Sequence, residues 1–217
     1  MELLEFARGP GLIISVCIFA IGVVWRLLGI FKLGKKTDLS KPRSTATIAG
    51  GLRMILRKMW PHKEFLGDTA IATFNGYLYH IGWFIAFLAF APHIAFVERE
   101  TGISWPALPN AVMYVATAVA ILGLGVALLR RLTDPVLKML SNFDDYFSWV
   151  VTMLPLITGM ALIPPEKYTE PVPLALHLLS LELLLVWMPF GKLSHAFLVF
   201  VSRGITGAAF ARKGLRP

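Results

Sequence analysis

Apolar positions in this chain do not alternate with polar ones; they fall in long runs separated by short polar, mostly basic, segments. The first run, Leu12 to Leu33, is interrupted only by Arg26 and Lys32 towards one end, where long side chains can reach an interface. Further runs extend from about Ile71 to Phe96, Ala107 to Leu129, Tyr146 to Ile163 and Pro173 to Val201. A hydrocarbon layer of roughly 30 Å takes about 20 helical residues. The pattern therefore predicts an all-α membrane domain over residues 1–217, a bundle of five transmembrane helices at about 12–33, 71–96, 107–129, 146–163 and 173–201. Between the first two runs, the apolar-basic stretch Leu52 to Trp60 predicts an interfacial amphipathic helix. Asp144-Asp145 makes an anionic start for the fourth span and Pro164-Pro165 ends it.

Composition agrees with a bilayer as solvent. Hydrophobic residues make up 56% and charged residues 16% of the 217, a balance an ordinary soluble domain would struggle to keep in solution. The net charge of +8 could point to nucleic acid, but its distribution points to topology. Lys and Arg concentrate at Lys35 to Lys63, Arg130 to Lys138 and Arg203 to Arg216, all on one side of a five-span arrangement. The N-terminus is then expected outside, the C-terminus in the cytoplasm and the loops near Glu98 and Glu166 outward, in the inner membrane of a prokaryote, with lipid and no nucleic acid as partners. Glu2, Glu5 and Arg8 precede the first run in place of a basic leader, and no small-residue cleavage site follows it, so that run reads as a retained helix. Cys17 is the only cysteine, which leaves no disulfide, no iron–sulfur ligand set and no c-type haem attachment pair.

Four of the five histidines, His80, His93, His177 and His195, fall inside the second and fifth runs, where a polar side chain is costly and usually functional. Haem iron in a b-type cytochrome takes two axial imidazoles from facing helices, and two such sites at different depths make a transmembrane electron path. The second and fifth spans run in opposite directions, so His80 faces His195 near the cytoplasm and His93 faces His177 near the outside. His177 and His195 are 18 residues apart, five whole helical turns, which puts both on one face of the fifth span, roughly 27 Å apart. His80 and His93 do not share a face unless Pro92 kinks the helix. Each histidine can alternatively serve as a hydrogen bond between helices. His62, beside Pro61 and Lys63, reads as a solvated surface residue.

Three motifs carry a resemblance to a known family. They are Tyr79-His80-Ile81-Gly82, Arg130-Arg131-Leu132-Thr133-Asp134-Pro135 with Asp144-Asp145-Tyr146, and His177 followed by Met188-Pro189-Phe190-Gly191-Lys192-Leu193-Ser194-His195. Through most of its length the chain resembles the cytochrome b (gamma) subunit of respiratory nitrate reductases and its relatives in sulfate reducers and sulfur oxidisers. The resemblance implies five helices, two b haems ligated by histidine pairs, quinol oxidised near the outer haem, and electrons delivered inward to an iron–sulfur subunit beside a catalytic subunit. It implies His80 and His195 for the inner haem and His93 and His177 for the outer one. The family's second ligand in that helix sits nearer the first, where this chain has Phe87 to Phe90.

Glu182 is the one carboxylate deep in a predicted span, and a buried carboxylate near the outer haem could accept a proton from quinol or make a structural hydrogen bond. Arg130, Arg131 and Lys192 lie at the depth of inner-haem propionates, although the positive-inside rule also accounts for them. Two other classes of function compete. A transporter or proton-channel subunit would want polar residues along a pore and broken helices in paired halves, for which the sequence gives no signal. A haem-less membrane anchor would not require all four histidines.

Overall fold

The computed structural model describes residues 2–34, 39–61, 63–163 and 170–215. Lys35-Lys36, His62, Pro164-Pro165, Glu166 and Arg216, which figure in the topology expected from sequence, lie outside the described residues. Within them the secondary structure is helical, with no strand. The α-helices are α1 (Leu3–Arg8), α2 (Pro10–Lys32), α3 (Thr47–Arg57), α4 (Leu66–Leu88), α5 (Ala91–Thr101), α6 (Asn110–Thr133), α7 (Pro135–Leu140), α8 (Phe143–Met160), α9 (Pro171–Trp187) and α10 (His195–Arg212). Three helical stretches, Leu3–Lys32, Asn110–Thr133 and Lys192–Arg212, are long and apolar enough to cross a membrane, and a fourth is added if the bent pair α4–α5 counts as one span. The protein is thus an all-helical chain with three to four candidate membrane crossings by length and composition.

The packing is serial. α4 lies on α6, α6 on α8, α8 on α9, and α9 on α1 and α2. Small residues set the close approaches. A Cβ at Gly82 of α4 would fall 2.5 Å from the Ala116 carbonyl oxygen of α6, and one at Gly22 of α2 would fall 2.7 Å from Pro189. Such contacts matter in lipid, where apolar surface alone gives helices no reason to associate. Ala120, Leu124, Met153 and Leu156 form the buried centre between α6 and α8, flanked by Tyr79, Trp83 and Trp149. The expected amphipathic helix is α3. It turns Gly50, Gly51 and Met54 against Gly204 and Gly207 of α10 and leaves Ile48, Leu52 and Leu56 exposed.

Two apolar runs that read as single spans are broken. The second turns through 56° between α4 and α5, and Phe90 is extended at the break with Pro92 in the first turn of the new helix. The fifth stops at Trp187 and resumes at His195, with a short 3-10 turn, Lys192–Ser194, between the two helices. Pro189 has no N–H to donate to the Leu185 carbonyl, which ends α9. Gly191 then lets the chain pass a point where a Cβ would lie 2.8 Å from Asp144 Oδ1 and closer still to the Trp187 indole. His177 and His195 therefore do not share the face of one straight helix.

Candidate functional site

A broken helix frees backbone carbonyls that must find donors, more so in an apolar environment. At the end of α4 all four do. The Ala86 and Phe87 oxygens both lie 3.1 Å from His93 Nδ1, Leu88 O accepts from the Trp105 indole N–H at 2.6 Å, and Ala89 O accepts from the Leu108 amide at 2.9 Å. The bend is thereby fixed, and His93, its own capping residue, is turned towards α9. Its ring lies 6.0 Å from that of His177, with the two planes within 10°.

The second pair forms at the other break. His195 is the first residue of α10, and its ring centre is 6.2 Å from that of His80, with the planes at 86°. Trp149 donates its indole N–H to Leu124 O on α6, and neighbouring Gly123 packs on Tyr79, so Trp149 marks the level of the His80 pair. Thr158, the partner of His177, lies nine residues further along α8, a rise of about 13 Å.

In all four histidines Nδ1 has a partner. His80 Nδ1 donates to Gly76 O at 2.7 Å, His195 Nδ1 to Lys192 O at 2.8 Å, and His93 Nδ1 to the α4 carbonyls. His177 Nδ1 lies 3.0 Å from Thr158 Oγ1, whose own proton goes to Leu154 O at 2.8 Å. A carbonyl only accepts, so Nδ1 carries the proton and Nε2 keeps its lone pair, the tautomer that ligates metal through Nε2.

The ring separations fit the same chemistry. A metal–imidazole bond of about 2 Å, with the ring centre about 1 Å beyond the nitrogen, sets two axial imidazole centroids about 6 Å apart. The donor set therefore suits a planar macrocycle that needs two axial ligands from the protein. No group of three or more His, Cys, Asp or Glu side chains suited to holding an ion forms among the described residues. Neither α4 nor α5 makes extended packing with α9 or α10; across that gap the histidine rings face each other.

The remaining candidates fall elsewhere. Arg131 Nη1 binds Asp145 Oδ1 at 2.9 Å, and Lys192 Nζ binds Asp145 Oδ2, so both cations meet a carboxylate of their own chain. No ion pair of Arg130 forms among the described residues. Burial would raise the Asp145 carboxyl, but the Lys192 hydrogen bond, the Asn142 amide and the charges of Arg131 and Lys192 outweigh it and hold it below the usual carboxylate range. Glu182 is buried, 7% exposed, and its Oε1 has no hydrogen-bond partner among the described residues. It is turned roughly 140° around α9 from His177. Its Oε2 stands against Gly11 of α2 rather than near the His93–His177 pair.

Sequence reasoning passed over Trp105, Thr158, Asp144 and Asp145 as parts of the site. In the sequence Asp144-Asp145 stands out as part of a family motif and as a helix start, and a helix start it is: Asn142 and Asp145 exchange side-chain and backbone hydrogen bonds as a capping box.

No protein-family model and no solved structure matches the chain. A protein of Nitratidesulfovibrio vulgaris strain Hildenborough is 32% identical to it over 215 residues, an alignment spanning 96% of this chain and 93% of the relative. At that identity and coverage, the chain belongs to the same family as the Nitratidesulfovibrio vulgaris protein.

Proposed function

We propose that this protein is the b-type cytochrome subunit of a respiratory redox complex, multi-pass in the inner membrane of a prokaryote. It exchanges electrons between the quinone pool and an iron–sulfur partner subunit that serves a catalytic subunit. One observation carries the reading: two histidine pairs at about 6 Å, each ring tied at Nδ1, on two broken helices that otherwise barely touch. His80 and His195 would hold the inner haem b and His93 and His177 the outer one. The haems, when bound, supply one-electron steps; the chain orients the four imidazoles through the partners of their Nδ1 atoms.

In this reading α2, α4 with α5, α6, α8 and α9 make the five crossings, N-terminus outside and C-terminus cytoplasmic, and α10, although long and apolar enough to cross, lies against the basic helix α3 instead. The cytoplasmic end is basic, since residues 39–60 and 192–215, including α3 and α10, contain Lys and Arg but no Asp or Glu. Such a surface suits the partner subunit and the lipid headgroups alike.

Broken helices also occur in transporters, where the freed carbonyls line a cavity and coordinate ions. Here the α4 carbonyls are capped by His93, Trp105 and Leu108, which favours the cytochrome over a transporter or channel subunit. The deciding experiment is a dithionite-reduced minus oxidised spectrum with pyridine haemochrome quantitation on the wild type and His93→Ala. Two b haems falling to one support the proposal. No haem in the wild-type protein overturns it and leaves the transporter or a haem-less anchor.

A further inference from the structure

We infer that Asp144 and Asp145, at the start of α8, are positioning residues that clamp Lys192 and through it aim the His195 imidazole at the inner site. The inference rests on the haem reading above and adds residues to it.

Lys192 is held at three points. Its backbone N–H donates to Asp144 Oδ1 at 3.0 Å, its ammonium binds Asp145 Oδ2, and its carbonyl accepts the His195 Nδ1–H at 2.8 Å. The first two contacts come from adjacent carboxylates on another helix, and the third fixes the ring. Asp144 and Asp145 are themselves anchored. Asp144 Oδ1 also takes the Ser148 hydroxyl at 2.8 Å, and Ser148 Oγ accepts from the Trp187 indole at 2.9 Å, tying in the last residue of α9. Asp145, its side chain 4% exposed, binds Arg131 of α6 at 2.9 Å and the Asn142 amide at 3.0 Å. The α9–α10 break thus has no freedom of its own: α6, α8 and α9 all converge on the residue three positions before His195.

Such second-layer partners of a metal-bound histidine orient the ring and tune the metal. The charges matter as well. Asp144, Asp145, Arg131 and Lys192 sum to zero, so removing Asp145 leaves excess positive charge beside the inner haem, favouring its reduced form. Removing Lys192 does the reverse.

The test is a potentiometric titration, with haem quantitation, of the purified wild type, Asp145→Asn and Lys192→Gln. With Asp145→Asn the inner haem should lose about tenfold in affinity or, where retained, move to a higher midpoint potential. Lys192→Gln should move the same haem lower. The His93–His177 haem should keep its occupancy and potential in both variants, which reports an intact fold. Two haems with unchanged potentials in the variants overturn the clamp and leave the cytochrome reading standing. Equal loss of both haems in the variants shows a role in folding alone and also overturns it. A wild type with no haem overturns both readings.

Discussion

The His93 ring lies 6.0 Å from that of His177 and nearly parallel to it, although a 56° bend separates His93 from His80 on the same apolar run. In a straight helix, thirteen residues would place His93 on a different face from His80. The outer pair therefore exists because the helix is broken. Each pair should be separable by mutation: His93→Ala or His177→Ala should remove one b haem, and His80→Ala or His195→Ala the other. Haemochrome content near half the wild-type value, with different residual spectra for the two classes, is the expected result.

The Trp105 indole is the donor that satisfies Leu88 O at the bend. Trp105→Phe keeps an aromatic ring and removes the N–H, so the Leu88 carbonyl loses this donor at a cost of about 0.5–1.5 kcal/mol. Thermal unfolding in detergent should show the loss. The outer haem should loosen before the inner one.

Glu182 faces Gly11 and not the outer histidine pair. Glu182→Gln keeps the shape and removes the possibility of a buried charge, so the variant should be at least as stable as the wild type and oxidise quinol at a similar rate. A rate falling about tenfold or more, a cost of about 1.4 kcal/mol, would restore Glu182 as the proton acceptor. Gly11→Ala should behave oppositely, because its Cβ would meet Glu182 Oε2 at 2.7 Å and Phe6 at 3.0 Å. Overpacking of that kind typically costs about 1–3 kcal/mol.

Acid should loosen the ends of α6 and α8 that meet at Asp145. The folded-state pKa of Asp145 is depressed despite its burial, because Lys192, Asn142 and Arg131 stabilise the anion. A depressed pKa contributes stability that is present above the unfolded value and lost as pH falls through the folded one. Stability measured across the acid range should decline in wild type more than in Asp145→Asn, which has already lost this contribution at every pH.

Much of the helical architecture is legible from sequence because run length is read directly by the bilayer. α2 and α6 coincide with their apolar runs, and the opposed directions of the second and fifth runs imply the histidine partners found at 6 Å. The breaks are harder to read. A hydropathy run sums over residues, so Pro189 and Gly191 vanish into a stretch that averages apolar, although both are visible as helix breakers. Pro92 does signal its bend. The Asp145 partners could not be read at all, since Arg131 and Lys192 come from different helices and the charge pattern alone suggests only a membrane surface. Trp105 likewise sits in a loop where nothing local marks the carbonyl it reaches.

The serial packing of α4, α6, α8, α9 and α2 has a consequence for how the protein matures. It is an open belt, with α4–α5 at one end and α9–α10 brought alongside, and the histidine rings are its buckle. A ligand that joins both edges binds the closed form and not the open one, so it adds to stability by mass action. If the protein carries the proposed haems, their insertion and closure of the belt are one event. A chain synthesised under haem limitation would stay unfastened along that seam, open to membrane proteases, and its abundance would follow the supply of its cofactor.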